Sequence, residues 1–280
     1  MGKLDGRVAL ITGGARGQGR SHALAMAAEG AEIVVCDIAA DVPVLGYPMA
    51  TEDQLAETVK LVESYDRRAL GLRVDARDTA QVQAAVDRTM DEFGRIDILL
   101  ANHGIVDFST VEKTTDEAWN TIVDTNLTGI FKSIRAVLPH MREAGYGRIV
   151  ATSSMGARQT APNLAHYIAA KWGVIGLVKS CALEVADQGI TVNAICPAAV
   201  NTDLFFNQPT YNIFCPDIDN PTVQDFEQRM KDSRHGLNGR AYLEPEHVSR
   251  AVLYLVTDDD GVITGQVMEV GLGGPARSIG

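Results

Sequence analysis

The stretch ITGGARGQGRSHALA, residues 11–25, begins as an apolar strand and ends as a helix, with glycines at the turn between them. Gly13, Gly17 and Gly19 would let the backbone approach a pyrophosphate closely at this turn. The amides and the dipole at the start of the following helix would bind the same anionic group. Three glycines alone are a weak signal, because a tight strand-to-helix turn also needs glycine. The interpretation therefore depends on the sequence around the turn.

Short apolar runs alternate with longer amphipathic segments along most of the chain. Seven runs have the length of strands and are rich in valine and isoleucine: RVALIT, AEIVVCD, ALGLRVD, DILLAN, GRIVATSS, ITVNAIC and GQVMEVG. The segments between them have helical spacing, and DEAWNTIVDTNLTGIFKSIRAVLPHMREAG is predicted as one long helix. This alternation predicts an α/β fold with parallel strands and helical crossovers. Because the strands are apolar throughout, we expect both faces of the sheet to be covered.

Two regions interrupt the alternation within what is predicted to be one domain, residues 1–280. IAADVPVLGYPMAT, residues 38–51, separates a strand from the next helix and is longer than most such connections, so we expect it to have a function. It is predicted as an insertion on the cofactor side of the sheet. Residues 198–244, with helical spacing only around Val223 to Met230, are predicted as an irregular cap over the substrate site.

The composition excludes several classes of site. With a formal net charge of −11, the chain lacks the basic stripe that nucleic-acid binding requires. The cysteines, Cys36, Cys181, Cys196 and Cys215, have no metal-ligand or disulfide spacing, so no metal site is predicted. No segment approaches the length of a membrane span, and the first apolar run is too short for a signal peptide. We therefore expect a cytoplasmic protein without membrane or nucleic-acid partners.

An acidic residue follows the glycine turn at the distance expected of a dinucleotide site. Asp37 ends the next strand, about 20 residues beyond the glycines, where a carboxylate binds a ribose 2′-hydroxyl. It would repel the extra phosphate of NADP, and the adjacent Ile38 supplies no cation, so NAD is the predicted cofactor. Arg16, within the turn, is a counter-signal because it could hold that phosphate. A solvated acid at a strand end is the alternative interpretation of Asp37.

Tyr167 and Lys171 lie four positions apart in an otherwise apolar helical segment, so they are neighbours on one helix face. A free phenol has a pKa of about 10 and is a poor base at neutral pH. An ammonium about 4 Å away, at an effective dielectric near 20, favours the phenolate by on the order of 4 kcal/mol. We therefore expect Lys171 alone to supply nearly all of the roughly three-unit decrease that a base needs. A surface pair with its polar ends in water is the alternative.

Six motifs occur in one order along the chain: TGGARGQG, ANHG, DTNLTG, the serine pair at 153–154, YIAAK and PAAVNT. Together they resemble those of the short-chain dehydrogenase/reductase family over essentially the whole length. The resemblance implies a single-domain Rossmann fold, with a doubly wound, mostly parallel, seven-stranded sheet and helices on both faces. It also implies an enzyme that transfers hydride between NAD and a secondary alcohol or its ketone.

The resemblance assigns a role to each candidate catalytic residue. Tyr167, beside Lys171, would be the general base in alcohol oxidation and the general acid in ketone reduction. Ser154, rather than Ser153, would hydrogen-bond the substrate oxygen. Asn126 would anchor a water that relays protons from Lys171, whereas without the resemblance an asparagine in a helix commonly faces solvent. The cofactor would be bound by Gly13, Arg16, Gly17, Gln18, Gly19, Asp37, Ile38, Asp75, Ala76, Asn102, Gly104, Tyr167, Lys171, Pro197, Val200 and Thr202.

Two positions depart from the family motifs. His103 replaces the usual alanine, and we expect a packed or solvent-facing side chain, with a pH-dependent role as the alternative. Ala198 replaces the glycine after Pro197, so the backbone there must avoid positive φ or be strained.

Within the family, the glycine-turn sequence and the insertion resemble the mycofactocin-associated, carveol-dehydrogenase-like branch. This branch implies NAD that does not exchange freely and is reoxidised by an external redox carrier, with residues 38–51 as a lid over it. An ordinary dehydrogenase with freely exchanging NAD is the nearest alternative, and a non-catalytic NAD-binding sensor is a remote one. LFFN, YNIF and Val200 predict an apolar pocket for a small, carveol-like alcohol. The family resemblance also implies a homotetramer.

Overall fold

The computed structural model describes residues 2–233 and 239–273. Within them, seven strands form one sheet in the order β3-β2-β1-β4-β5-β6-β7, and each neighbouring pair is parallel. The strands are β1 (Val8–Thr12), β2 (Glu32–Asp37), β3 (Ala69–Arg73), β4 (Ile98–Ala101), β5 (Gly147–Thr152), β6 (Ile190–Pro197) and β7 (Val267–Val270). The strand order reverses between β1 and β4, and such a reversal leaves a ligand-binding crevice at the carboxyl ends of the strands. The predicted seven-stranded sheet is confirmed.

Helices cover both faces of the sheet. The α-helices in the described residues are α1 (Gly17–Ala28), α2 (Glu52–Glu63), α3 (Thr79–Phe93), α4 (Asp116–Val123), α5 (Gly129–Ala144), α6 (Ala165–Glu184), α7 (Gln208–Phe214), α8 (Val223–Ser233) and α9 (Pro245–Val256). Successive residues of β1 belong to different core clusters, because side chains alternate across a strand. Leu10 packs with α3, α5 and α6, whereas Ala9 and Ile11 pack with α1, α2 and α9. The predicted doubly wound arrangement is therefore confirmed.

The edge strand β3 is less buried than its sequence suggested. None of its five residues is fully buried, whereas β1 and β5 are buried along their whole length. The cause is its position, since β3 pairs only with β2. The expectation that the strands are covered on both faces is therefore wrong for β3 and also for β7 at the other edge, where no residue is fully buried.

The predicted long helix after β4 is interrupted. Between α4 and α5, residues Asp124–Thr128 form a single π-helical turn that contains Asn126. Single π-helical turns inside α-helices are frequent at functional sites. Helical spacing continues on both sides of the turn, which is why the sequence did not reveal it.

The two irregular regions differ in their packing. Residues 38–51 contain no helix or strand. The cap has its own aromatic core, formed by Phe205, Phe206, Tyr211, Phe214, Phe226 and Tyr242. Its helix α8 was predicted, but the short α7 was not, although Asn207 as N-cap and a proline in the first turn are recognisable start signals. Residues 234–238 of the predicted cap lie outside the described residues.

Candidate active site

The glycine turn between β1 and α1 has a backbone that other residues would not allow. Gly13 and Gly17 have φ angles of +67° and +56°, in the left-handed region that favours glycine. A Cβ atom added to Gly19 would lie 2.0 Å from the carbonyl oxygen of Gly13. The three glycines therefore keep a space open at the N-terminus of α1, and this space suits a pyrophosphate.

Asp37 lies at the end of β2 and faces the same cavity. Its Oδ2 accepts a hydrogen bond from the Ala15 amide at 3.1 Å, and its Oδ1 accepts one from the Ala39 amide at 3.3 Å. The carboxylate is thus fixed by the backbone at the carboxyl edge of the sheet, with Ile38 beside it in the cavity wall. It is buried, so the alternative of a solvated strand-end acid is not supported.

Arg16 is engaged by other parts of the chain. Its Nη2 donates to the carbonyl oxygen of Pro48 at 2.7 Å, and its Nη1 forms an ion pair with Oδ2 of Asp203 at 2.9 Å. The guanidinium therefore connects the glycine turn to the insertion and to the cap. This arrangement weakens the case for Arg16 as a ligand of an NADP phosphate.

Two adjoining cavities contain nearly all the predicted site residues. The first is lined by Gly13, Arg16, Gly17, Gln18, Gly19, Asp37, Ile38, Asp75, Ala76, Asn102, Gly104 and Thr202. The second, with a volume of about 560 Å³, is lined by Gln18, Asn102, Gly104, Ser154, Tyr167, Lys171, Pro197, Val200 and Thr202. The residues shared by both show that the cavities meet. Asn126 lines neither cavity and is completely buried.

The side chain of Asp75 is held by Arg77 in the wall of the first cavity. Burial raises the pKa of this carboxyl, but hydrogen bonds from Arg77 outweigh burial and hold it below its ordinary value. The carboxylate accepts the Arg77 guanidinium bidentately, at 2.6 and 2.9 Å. Asp75 is therefore ionised and paired, and its neighbour Ala76 presents a small apolar side chain to the cavity.

Ser154 and Tyr167 meet in the second cavity. Ser154 follows β5, and its Oγ accepts the Gly156 amide at 2.9 Å, which fixes its orientation. Its neighbour Ser153 instead donates to the Lys171 carbonyl at 2.8 Å and is buried. Both serines line the second cavity, and Ser154, the second of the pair, is the one that hydrogen-bonds Tyr167.

Burial dominates the ionisation of Tyr167. Burial raises the pKa of its phenol, and a hydrogen bond with Ser154 lowers it but does not restore the ordinary value. Lys171 Nζ lies 5.8 Å from the centroid of the tyrosine ring and donates to the Thr152 carbonyl at 2.9 Å. The expectation that Lys171 alone brings the phenol near neutrality is therefore wrong, because burial raises the pKa of Tyr167 and the neighbour that lowers it is Ser154 rather than Lys171.

Lys171 itself titrates close to neutrality. Burial lowers the pKa of its ammonium to about 8, because a charged amine loses its hydration inside the protein. The alternative of a surface pair is excluded, since Lys171 is 3% exposed. A buried amine that can gain or lose a proton near pH 8 is suited to proton transfer.

Asn126 stabilises the backbone behind the cavity. Its Oδ1 accepts the Ile105 amide at 2.9 Å, and its Nδ2 donates to the Ile105 carbonyl at 2.8 Å. A Cβ atom added to Gly104 would lie 3.1 Å from this Oδ1 and 3.2 Å from Lys171 Nζ. The amide and the amine therefore lie on the same side of Gly104, and the solvent-facing alternative for Asn126 is wrong.

A comparison with known proteins identifies the family. The profile described as short chain dehydrogenase matches residues 7–210, which is most of the chain. The chain belongs to the short-chain dehydrogenase family. The predicted family, fold and oxidoreductase class are thereby confirmed.

Relatives with similar full-length chains indicate the branch. The (−)-trans-carveol dehydrogenase of Rhodococcus erythropolis is 41% identical over 276 residues, which cover 98% of this chain and 99% of the relative. The structure of carveol dehydrogenase from Mycobacterium avium in complex with NAD is 40% identical, covers 99% of this chain and 100% of that one, and gives a TM-score of 0.95. A short chain dehydrogenase from Mycobacterium paratuberculosis bound to NAD is 34% identical, with 99% and 100% coverage and a TM-score of 0.87. The resemblance to the carveol-dehydrogenase-like branch is thus supported.

The two departures from the family motifs are accommodated without strain. Nε2 of His103 lies 3.1 Å from the Thr125 carbonyl, so it carries the hydrogen, and Nδ1 lies 2.7 Å from the Thr12 hydroxyl. Burial, with a smaller contribution from the charge of Lys171, lowers the pKa of His103 to about 4, so this histidine is a neutral, packed residue at neutral pH. Ala198 is absent from the residues with positive φ, and its amide donates to Val270 at 2.9 Å.

Tyr47 is among the cavity residues that sequence analysis missed. Tyr47, from the insertion, is buried against the first cavity, and its hydroxyl accepts the Val106 amide at 3.0 Å. An aromatic residue within a proline- and glycine-containing loop is only a weak sign of a cavity residue, because sequence spacing does not predict the direction in which an irregular segment places its side chains. Tyr47 joins the insertion to a residue that lines the second cavity.

Metal ligands, cysteines and apolar helices complete the description of the described residues. No group of three potential ligands there could hold a metal ion. The four cysteines are buried and unbridged. No helix in the described ranges has the length and apolar character needed to cross a membrane.

Proposed function

We propose that the chain interconverts a small apolar secondary alcohol and its ketone by hydride transfer to and from NAD. The observation that carries this proposal is the meeting of two cavities, one with the glycine turn and Asp37 and the other with Ser154, Tyr167 and Lys171. The NAD complexes of two full-length relatives support the choice of cofactor. Bound NAD would supply the hydride acceptor for oxidation and, when reduced, the hydride donor.

NAD fits the adenosine end better than NADP. The carboxylate of Asp37 is fixed by the Ala15 and Ala39 amides at the strand end where a ribose would bind. A 2′-phosphate there would meet a like charge in a buried position, which is strongly unfavourable. Arg16, the nearby cation, is already bound to Pro48 and Asp203.

The side chains of the second cavity would transfer the proton of the alcohol. The Ser154 hydroxyl would hydrogen-bond the substrate oxygen, and Tyr167 would remove the alcohol proton during oxidation or return it during reduction. The ammonium of Lys171 would stabilise the phenolate that forms. Asn126 would hold the backbone at Ile105 so that a water can connect Lys171 to solvent.

Phenolate formation is the difficult step for this site. Burial raises the pKa of Tyr167, so the resting phenol is protonated at neutral pH. Its hydrogen bond with Ser154 and the charge of Lys171 both favour ionisation, and the positive charge of oxidised nicotinamide would add to them. We therefore expect oxidation to accelerate with pH as the population of phenolate grows.

The Ser154→Ala variant tests whether the Ser154 hydroxyl takes part in the reaction or only in packing. Loss of the hydroxyl should lower the oxidation rate by about 100-fold, because one donor to a reacting oxygen is lost. It should also move the rising part of the pH–rate profile to higher pH, because the hydrogen bond that lowers the pKa of Tyr167 is gone. The measurement is kcat against pH with a fixed alcohol and saturating NAD.

Ser153→Ala is the matched control. Its hydroxyl donates to the Lys171 carbonyl, so its removal should cost about 1 kcal/mol of stability and leave the pH profile in place. Equal shifts in the two variants would contradict the assignment of Ser154.

The second cavity suits a small apolar substrate. Among its lining residues are Val106, Leu164, Val200, Phe205 and Phe214, and its volume is about 560 Å³. The predicted LFFN and YNIF stretches thus contribute Phe205 and Phe214, while Phe206 packs in the cap core. The carveol dehydrogenase from Rhodococcus erythropolis supports a terpene-like secondary alcohol as the substrate.

The insertion is proposed to retain the cofactor. Residues 38–51 border the first cavity through Ile38, Tyr47 and Met49, and their contacts tie them to several elements. Tyr47 binds the Val106 amide, and the Arg73 guanidinium donates to the Ile38 carbonyl at 3.2 Å. A segment fixed in this way would slow NAD release, and an external redox carrier, as the mycofactocin-associated branch implies, would then reoxidise the bound cofactor.

Native mass spectrometry tests this retention. We expect the purified protein to carry NAD through buffer exchange, and we expect an artificial electron acceptor to support more turnovers than added free NAD. A protein that emerges without nicotinamide and regains activity at once on addition of NAD would instead be a freely exchanging dehydrogenase.

The homotetramer and the cytoplasmic location remain predictions. Large apolar side chains on the helix layer support association, since Trp119, Phe131 and Trp172 are each more than 40% exposed on α4, α5 and α6. Sedimentation of the holoprotein would give the subunit number.

A further inference from the structure

Arg16 lies where three parts of the cofactor cavity meet. Its backbone belongs to the glycine turn, immediately before Gly17 at the start of α1. Its side chain reaches Pro48 in the insertion and Asp203 in the first residues of the cap. A single guanidinium thus connects two segments that are more than 150 positions apart in the sequence.

The two contacts use different arms of the guanidinium. Nη2 donates to the Pro48 carbonyl at 2.7 Å, and Nη1 pairs with Oδ2 of Asp203 at 2.9 Å. The arginine side chain is 20% exposed, and that of Asp203 is 59% exposed. A planar fork can hold two acceptors in fixed directions at once, whereas a lysine ammonium acts as a point charge.

Both segments held by Arg16 border the functional cavities. Pro48 follows Tyr47, whose hydroxyl binds the Val106 amide in the wall of the second cavity. Asp203 follows Thr202, whose Cγ2 lies 3.1 Å from the position of a Cβ added to Gly17. Movement of either segment away from Arg16 would therefore widen the path over the glycine turn.

We infer that Arg16 is a positioning residue that fastens the insertion and the start of the cap together over the bound dinucleotide. Cofactor release then requires the Arg16–Asp203 and Arg16–Pro48 contacts to break. The inference rests on the proposed cofactor site, and it concerns the relative rate of release rather than whether NAD is retained through purification.

The Asp203→Ala variant removes the Arg16–Asp203 ion pair from the side of the cap. Asp203 has no assigned part in catalysis. The holoprotein is loaded with NADH and mixed with excess NAD⁺, and the loss of bound NADH fluorescence gives the release rate. Loss of one partly exposed ion pair should accelerate release by about 2- to 5-fold. Raising the salt concentration should accelerate release from the unmodified protein and have little effect on Asp203→Ala, because an exposed pair is screened.

Two matched controls remove comparable acidic side chains. Asp217→Ala breaks the Asp217–Arg229 pair within the cap, and Glu52→Ala breaks the Glu52–Arg73 pair at the end of the insertion. Neither pair joins the two segments, so both controls should release NADH within about 1.5-fold of the unmodified protein. An Asp203→Ala rate no faster than these controls would overturn the inference.

A double-mutant cycle shows whether Asp203 acts through Arg16. Arg16→Gln should accelerate release by about 10-fold or more, because it loses both contacts. Adding Asp203→Ala to Arg16→Gln should change the rate little further, whereas independent effects would multiply and contradict the inference. Rapid release from the unmodified protein would count against NAD retention, while the ratios between variants would still decide the role of Arg16.

Discussion

Replacement of Tyr167 by phenylalanine is expected to lower turnover by at least about 10³-fold, because the variant lacks the proton acceptor and donor of the reaction. The aromatic ring remains, so the packing of α6 against the second cavity should be preserved. NAD binding should also persist, since the glycine turn and Asp37 are unchanged. The measurement is single-turnover oxidation of a terpene alcohol by the NAD-loaded protein, with NAD content determined in parallel.

Tyr47→Phe is the matched control for this result. Tyr47 is also a buried tyrosine beside the cofactor cavity, but its hydroxyl accepts a backbone amide and has no proposed part in proton transfer. Its loss should therefore change the chemical step by less than about 10-fold. If Tyr167→Phe retained turnover comparable to that of Tyr47→Phe, the dehydrogenase mechanism would be wrong.

The same variant distinguishes an enzyme from a non-catalytic NAD-binding sensor. A sensor would keep its cofactor binding and its biological response when the Tyr167 hydroxyl is removed. An enzyme would keep the binding and lose the response together with turnover. The buried Ser154–Tyr167 contact favours the enzyme, because a protein that only binds NAD has no need of a buried phenol there.

The sheet and its ligand-binding edge could be predicted because the determining signals are local. Each strand is a short valine- and isoleucine-rich run, and strand–helix alternation restricts the topology to a few arrangements. Gly13, Asp37 and Ser154 each lie at or just beyond the carboxyl end of a strand, so a parallel sheet brings them to one edge without further information.

The partners of charged side chains could not be predicted, because they depend on irregular segments. Arg16 looked available for a phosphate in the sequence, yet it binds Pro48 and Asp203 through folds of the insertion and cap that have no periodic pattern. Tyr47 escaped notice for the same reason. The π-turn at Asn126 leaves helical spacing intact on both sides, so its effect on one amide is not visible in the sequence.

The ionisation of Tyr167 shows a second limit of sequence reasoning. Four-residue spacing correctly placed Lys171 next to it, but spacing carries no information about burial. Both groups are withdrawn from water, and burial acts in opposite directions on their pKa values, upward for the phenol and downward for the amine. Burial therefore favours the neutral phenol and the neutral amine, whereas attraction between the two charges would favour their ionised forms.

Burial of the Lys171 ammonium destabilises the folded protein, because the charged amine loses its hydration. Its pKa of about 8 lies below the ordinary 10.5, so between these pH values the folded state binds fewer protons than the unfolded chain. The free energy of unfolding therefore rises with pH across that interval. Below about pH 8 the penalty is fully present and amounts to about 3 kcal/mol.

Lys171→Met should accordingly make a more stable but inactive protein. Methionine has a similar length and no charge, although its introduction leaves the Thr152 carbonyl without the donor that it has at 2.9 Å, a loss of about 1 kcal/mol. At pH 7 and without cofactor, we expect the free energy of unfolding to increase by about 2 kcal/mol, while turnover falls by at least about 100-fold. The stability gain should shrink between pH 8 and 10.5, where the unmodified lysine becomes neutral in the folded state.

Denaturant titrations across this pH range measure the gain. Lys179→Met, at an exposed position of α6, is the control and should show neither the stability gain nor the loss of turnover. A Lys171→Met protein that is less stable at pH 7, or whose difference from the unmodified protein does not vary with pH, would show that the buried ammonium carries no such penalty.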